Sequence, residues 1–166
     1  TGATLGKHDR PSSAQKESLE SFGTIIPFNN KLLVAGGDVL TAHDPKNGNE
    51  LWRWGTWNPK HKEQWWRLVP SPVVGDGVAL VCAPKRAPVF AIKLDQKGSN
   101  SGKSGLRWET SANPSLTSDV PTPLYYQNKF YILSDLRKNL SQVNPESGKA
   151  EWTTELPGKY LSLIHI

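Results

Sequence analysis

The 166-residue chain lacks methionine and has a single cysteine, Cys82. One cysteine excludes an internal disulfide and a cluster of thiolate metal ligands, and it leaves the redox compartment open. No apolar run approaches the roughly 18 residues of a membrane-spanning helix, and the N-terminal stretch lacks the apolar core of a signal peptide. We therefore expect a soluble chain without a membrane span, any targeting segment having been removed or lying upstream.

Long runs of charge of either sign are also missing. Lys and Arg number 20 and Asp and Glu number 15, which gives a formal net charge of +5 and a pI near 9.4. A basic balance favours anionic partners in general, but here no run of Lys or Arg exceeds two residues. This distribution is more typical of a solvated surface than of a nucleic-acid-binding protein, so polyanion binding is the weakest of the hypotheses.

Tryptophan, glycine and proline are abundant instead. The chain contains seven Trp, 14 Gly and 13 Pro. High Gly and Pro content favours turns and loops over long helices, and the large indole rings supply core volume that a modest apolar content does not. The composition therefore predicts a loop-rich fold whose core depends on aromatic side chains.

A four-part pattern occurs three times along the chain, and such internal repeats decide the fold class. Each copy has a polar hairpin tip between two apolar runs, then a further strand, a turn, and a last strand with a Trp. The tips are Asn29-Asn30, Asp76-Gly77 and Gln127-Asn128. Asn and Gly tolerate the positive φ that two-residue hairpins need, and the tips recur at the ~40–50 residue spacing of four-stranded propeller blades.

The end of each copy carries the most regular spacing. An Asp or Asn ends the third strand, a Gly supplies a left-handed turn position, and a Trp lies on the fourth strand. The predicted structural positions are Asp44, Gly48 and Trp52, then Asp95 and Trp108 around an insertion, then Asn144, Gly148 and Trp152. Because three Trp occupy the same place in three repeats, we expect them to fill the gaps between neighbouring sheets.

This pattern resembles the PQQ-like β-propeller repeat, also called the tryptophan-docking repeat, which reads approximately A-x-D-x-x-x-G-x-x-x-W. The resemblance covers about residues 24–156 and implies an all-β fold, a partial β-propeller of about three four-stranded antiparallel blades. Propellers typically need four to eight blades, so we expect an open fragment of a longer propeller, whose remaining blades are its partners. The missing methionine agrees with truncation.

The pattern predicts six parts. They are a polar N-terminal segment or incomplete preceding blade at 1–23, blade 1 at 24–54, an aromatic and basic interblade connection at 55–70, blade 2 at 71–110, blade 3 at 111–156, and the start of a further blade or a non-native tail at 157–166. Whether residues 161–166 are native is left open by the sequence.

Most of the aromatic and charged residues that lie outside the repeat pattern are predicted to lie on one face of the propeller. With the strands of a blade lettered A to D from the axis outward, the B–C turns and the D–A connections between blades lie on the same face. Aromatic rings there can stack on sugars or other rings, and Arg and Lys can bind carboxylates or phosphates. The candidate ligand-binding residues on this face are Trp57, His61, Trp65, Trp66, Arg67, Lys85, Arg86, Asp119, Arg137 and Lys138.

Structural interpretations of these residues stay open. Trp65 and Trp66 can fill the gap between blades 1 and 2. The basic pairs in the turns can be solvated charges, and Asp119 can be a cap or a turn former.

The sequence carries no motif for catalysis or for metal binding. Its four His have no metal-ligand spacing, and it contains no phosphate-binding glycine loop and no triad motif. Quinone-dependent dehydrogenases that share the repeat typically use adjacent cysteines, calcium ligands and a catalytic Asp. This chain has no cysteine pair, and Cys82 fits a small core residue.

We therefore expect a non-catalytic binding or scaffold module, periplasmic or secreted by its resemblance, with no metal and no evident cofactor. Its ligand would be a protein, a sugar or an anion. The alternative is a fragment of a dehydrogenase for alcohols or sugars that uses PQQ and calcium and carries its catalytic residues in other blades.

Overall fold

Short β-strands dominate the structure, a computed structural model that describes residues 2–4 and 6–163. Two short 3-10 helices, Lys16–Leu19 and Pro59–His61, lie wholly within these ranges. No helix in the described ranges has the length and apolar character needed to cross a membrane.

Three antiparallel sheets form consecutive blades. Blade 1 consists of β1 (Ile26–Phe28), β2 (Lys31–Gly36), β3 (Val39–His43) and β4 (Glu50–Gly55). Blade 2 consists of β5 (Val73–Gly75), β6 (Val78–Cys82), β7 (Val89–Lys93) and, after an insertion that forms β8 (Gly98–Asn100), β9 (Leu106–Glu109). Blade 3 consists of β10 (Leu124–Tyr126), β11 (Lys129–Ser134), β12 (Asn139–Val143) and β13 (Ala150–Glu155). The predicted all-β partial propeller is confirmed.

The hairpin tips have the backbone that their residue types predict. In every blade, two residues connect the first and second strands, and all six of these residues have a φ between 42° and 74°. They are Asn29, Asn30, Asp76, Gly77, Gln127 and Asn128. Positive φ matches the turn to the right-handed twist of the flanking strands, which fixes the register of each hairpin.

Blade 2 lies between its neighbours and buries both of its faces. Ala79, Val81 and Ile92 face blade 1, where they join an apolar layer that includes Trp52 and Trp54. The alternate residues of the same strands belong to a second layer, shared with blade 3. All five residues of β6 are buried, because the strand is covered on both faces. This explains its continuous apolar sequence, VALVC.

Trp108 makes the contact between blades 2 and 3. It lies opposite Ala91 on the edge of blade 2, and its indole Nε1 donates to the carbonyl of Pro145 at 2.7 Å. A Cβ on Gly148 would lie 2.5 Å from Cδ2 of this ring, and the φ of Gly148 is +70°. Only glycine therefore lets the turn before β13 approach the indole so closely.

The insertion in blade 2 changes the corresponding contact at blade 1. β8 pairs in parallel with β4 and becomes the fifth strand of that sheet. Trp54 donates its Nε1 to the carbonyls of Gly102 at 3.2 Å and Ser104 at 2.9 Å. Trp52 is buried, but its Nε1 has no hydrogen-bond acceptor within the described ranges. Within the described ranges, the indole hydrogen bonds between blade 1 and the insertion are thus made by Trp54 and not by Trp52.

The two outer faces of the three-blade unit differ. The N-terminal segment covers blade 1, where Arg10 donates to Thr41 Oγ1 at 2.7 Å and to the carbonyls of Gly36 and Val39 at 2.8 and 2.6 Å. On blade 3, Trp152 is 40% exposed and has no following sheet to pack against in the described ranges. Its role in interblade docking stays a prediction.

The two ends of the chain carry little regular structure. Within 2–4 and 6–23, the chain forms one 3-10 helix and a single bridge between Ser21 and Leu68. At the other end, residues 157–163 form no strand. The rest of the predicted further blade or tail, 164–166, lies outside the described residues.

Replacing Trp52 by Ala should lower the free energy of unfolding by about 3–5 kcal/mol, because a side chain only 2% exposed leaves a cavity between two sheets. Trp152→Ala is the matched control at the same strand position of the terminal blade. It should cost under about 2 kcal/mol, because its ring already contacts water. Urea unfolding of the two variants measures the difference. Equal losses of unfolding free energy would contradict the placement of Trp52 in the apolar layer between blades 1 and 2.

Replacing Trp54 by Phe should remove both indole hydrogen bonds to the insertion and cost about 1–2 kcal/mol of stability. Amide hydrogen exchange in residues 98–104 should then become faster. Trp52→Phe is the control, because the Nε1 of Trp52 has no acceptor to lose. If exchange in the insertion rises equally in both variants, the indole of Trp54 does not hold β8 in place.

Candidate functional site

A cleft of about 940 Å³ opens on the face that carries the B–C turns and D–A connections. Its walls come from four segments: the connection after blade 1, the B–C turn of blade 2 with the start of β7, the connection after blade 2, and the B–C turn of blade 3, which contributes Leu136. The apolar wall is formed by aromatic and proline side chains, which are Trp57, Pro59, Trp66, Pro88 and Phe90. Lys85, Arg86 and Asp119 supply the charged groups of the lining.

The cleft brings together half of the residues that the sequence singles out. Those that line it are Trp57, Trp66, Lys85, Arg86 and Asp119. Those that lie elsewhere are His61, Trp65, Arg67, Arg137 and Lys138. The structure adds Phe90 and the two prolines, which the sequence presents only as strand and turn residues. Whether any of these residues binds a ligand stays a prediction.

Hydrogen bonds from the connection after blade 2 hold the B–C turn of that blade in place. The Asp119 carboxylate accepts the backbone N–H of Lys85, and Thr117 Oγ1 donates to the carbonyl of Ala87 at 3.1 Å. The backbone N–H of Asp119 donates in turn to Asp135 Oδ1 at 3.1 Å. Asp119 therefore orders the turn that presents the two cations, in addition to lining the cleft.

The two cations of this turn have no ion-pair partner among the residues that the structure describes. Lys85 and Arg86 are exposed, and neither forms an ion pair with any residue in the described ranges. Arg137 and Lys138 occupy the B–C turn of blade 3 and are also exposed, but they do not line the cleft. One edge of the apolar cleft is thus cationic.

A buried carboxylate anchors the connection after blade 1. Asn58 Nδ2 lies 2.9 Å from Asp38 Oδ2, and His61 Nδ1 lies 2.9 Å from the same oxygen. The side chain of Asp38 is fully buried, and its Oδ1 has no hydrogen-bond partner within the described ranges. Burial raises the pKa of Asp38, against the opposing effect of the hydrogen bonds from His61 and Asn58. His61 therefore holds the connection against the B–C turn of blade 1.

Two further residues of this connection contact the N-terminal segment. Trp65 is 56% exposed, and the Lys16 ammonium lies 4.8 Å from the centroid of its ring. Arg67 Nη1 lies 2.8 Å from Glu17 Oε2 in an exposed ion pair. Neither side chain faces the cleft.

Metal binding and thiol chemistry find no support within 2–4 and 6–163. No group of three or more His, Cys, Asp or Glu side chains in these ranges could hold a metal ion. Cys82 is buried between blades 2 and 3, where burial and the negative charge of Asp135 raise the pKa of its thiol. A thiol kept protonated and inaccessible acts as a small apolar core residue.

Comparison with known proteins places this geometry in a family of propellers. A family model described as outer membrane protein assembly factor BamB matches residues 36–164. No curated protein matches the sequence. Several solved structures share the fold at low sequence identity.

BamB from Moraxella catarrhalis is 14% identical, with a TM-score of 0.53 over 76% of this chain and 33% of that one. A europium-containing methanol dehydrogenase is 15% identical, with a TM-score of 0.58 over 80% and 31%. Apo AztD from Citrobacter koseri is 12% identical, with a TM-score of 0.52 over 80% and 33%. The chain thus spans about a third of the length of each of these structures.

The stability of the protein should depend on the protonation of Asp38. Because its folded pKa is raised above the ordinary 3.8, the folded state holds this proton more tightly than the unfolded state does. The contribution of Asp38 to the free energy of unfolding is therefore greatest below pH 3.8 and falls as the pH rises through the folded pKa.

Asp38→Asn carries no titrating carboxyl, so its stability relative to the natural protein should increase with pH over that window. Urea unfolding between about pH 3 and 7 measures this difference. Asp95→Asn, at an exposed turn, is the control. A constant difference between Asp38→Asn and the natural protein across the window would refute the assignment.

Proposed function

The chain belongs to the PQQ-like β-propeller repeat family, and from this premise we propose that it is part of a non-catalytic binding or scaffold module. The observation that carries the proposal is the cleft, an apolar surface at the junction of the blades. It is edged by two cations that form no ion pair within the described ranges. An apolar recess of this size with a few fixed polar groups is typical of a binding site.

A scaffold role agrees with the family's description as an assembly factor. Such a role needs a rigid surface rather than a reactive one. Here the cleft rests on two buried apolar layers and on turns held by hydrogen bonds, so its walls are preorganised.

The proposal includes an extracytoplasmic location and the further blades of a longer propeller as partners in the same chain. The location is carried over from the outer membrane context of the family description. The exposed indole of Trp152 supports the second point, because it occupies the strand position from which Trp108 packs on the next blade.

The alternative is a fragment of a PQQ-dependent alcohol or sugar dehydrogenase, which the shared fold of a methanol dehydrogenase brings into consideration. Under this alternative, residues of other blades would hold the quinone and its calcium ion, because the described residues offer neither a cysteine pair nor a metal-ligand cluster. Cys82 is the sole cysteine and is buried, and Asp119 on the cleft already accepts a backbone N–H. No metal-ligand cluster lies within the described ranges.

Addition of PQQ and calcium to the longer protein that contains this chain should produce neither a shift in the quinone absorbance nor dye reduction with alcohols or sugars. An authentic quinoprotein dehydrogenase is the positive control. Substrate-dependent dye reduction by the longer protein would overturn the non-catalytic proposal.

A further inference from the structure

We infer that the cleft binds a peptide segment in which an aromatic side chain lies next to a carboxylate. The inference rests on the proposed binding function and names the ligand class of that same site.

The apolar wall of the cleft selects for a flat ring. Pro59 and Pro88 present rigid ring surfaces, while Trp66 and Phe90 present half-buried aromatic ones. The ring of Phe90 is held by that of Trp54, with 5.5 Å between their centroids. Rings that are already fixed lose little conformational entropy when another ring packs against them, and aromatic pairs gain attraction beyond the area they bury.

The charged edge selects for an anion. Lys85 and Arg86 are exposed on the B–C turn of blade 2 without ion-pair partners in the described ranges. Asp119 is the carboxylate among the lining residues, and part of its hydrogen-bonding capacity is taken by the backbone of the same turn. A guanidinium binds a carboxylate through two parallel hydrogen bonds, so Arg86 suits an Asp or Glu side chain.

The shape of the cleft favours a chain segment over a small molecule. Small-molecule sites bury about 70–90% of their ligand. This cleft has walls from four separate segments and is open to solvent, although its volume of about 940 Å³ is ample. A peptide can place one aromatic residue against the wall and an adjacent carboxylate on the cations, while its flanking residues remain outside.

Calorimetric titration with the peptide acetyl-Gly-Asp-Phe-Asp-Gly-amide tests the inference on the full chain. We expect saturable binding that weakens as the salt concentration increases. Exchange of both Asp for Asn, or of Phe for Ala, should weaken binding about tenfold each, because each removes one of the two matched contacts.

Arg86→Glu should also weaken binding about tenfold, by placing a like charge beside the peptide carboxylates. Arg137→Glu is the matched control, an exposed Arg in the equivalent turn of blade 3. Its own side chain does not line the cleft, although that of its neighbour Leu136 does, and the substitution should change the affinity by no more than about twofold. Both substitutions lie on the surface, so unfolding should not obscure the comparison.

Three outcomes would overturn the inference. They are the absence of binding, equal binding of the Asp and Asn peptides, and equal weakening by Arg86→Glu and Arg137→Glu. If phenylacetate binds as tightly as the peptide, the site is one for small aromatic acids and the peptide assignment is wrong. None of these results tests whether the protein is catalytic, which the dye-reduction assay decides separately.

Discussion

Burial of indole rings between neighbouring sheets is the interaction on which the rest of this structure depends. A four-stranded sheet has two faces, and an exposed apolar face is unstable in water unless another layer covers it. Trp54 and Trp108 each supply ring area and a hydrogen bond to the neighbouring blade in a single side chain. This contact sets the spacing of the blades, and the spacing determines which turns and connections meet at the cleft.

Local chemistry made most of the fold predictable from the sequence. The hairpin tips are recognisable because Asn and Gly tolerate positive φ, and the strands of blade 2 because burial on both faces leaves them apolar throughout. The hydrogen bonds of the Trp54 indole to the insertion, where the repeat pattern points to Trp52, were not predictable in this way. They depend on an insertion that folds back onto β4, a parallel pairing between segments distant in sequence.

The candidate site was predictable only in part, for the same reason. The face that carries the candidate residues follows from strand order, so Trp66, Lys85 and Arg86 are found together. By contrast, His61 and Arg67 are engaged by Asp38 and Glu17, which lie far away in sequence and whose positions no local pattern reveals. Phe90 was missed because it alternates like any strand residue, and only the sheet geometry shows that its ring reaches the cleft.

The two ends of the unit are chemically opposite, and this difference gives the stack of blades a direction. Repeat proteins need polar caps where stacking stops. On blade 1, the guanidinium of Arg10 satisfies backbone carbonyls and the hydroxyl of Thr41, so an added sheet there would have to break several hydrogen bonds to a charged group. On blade 3, an added sheet would bury the indole of Trp152 and the ring of Tyr131 that it contacts. Covering blade 1 would lose charge-assisted hydrogen bonds, whereas covering blade 3 would remove apolar surface from water. Of the two outer faces, that of blade 3 is therefore the one that exposes aromatic surface to water.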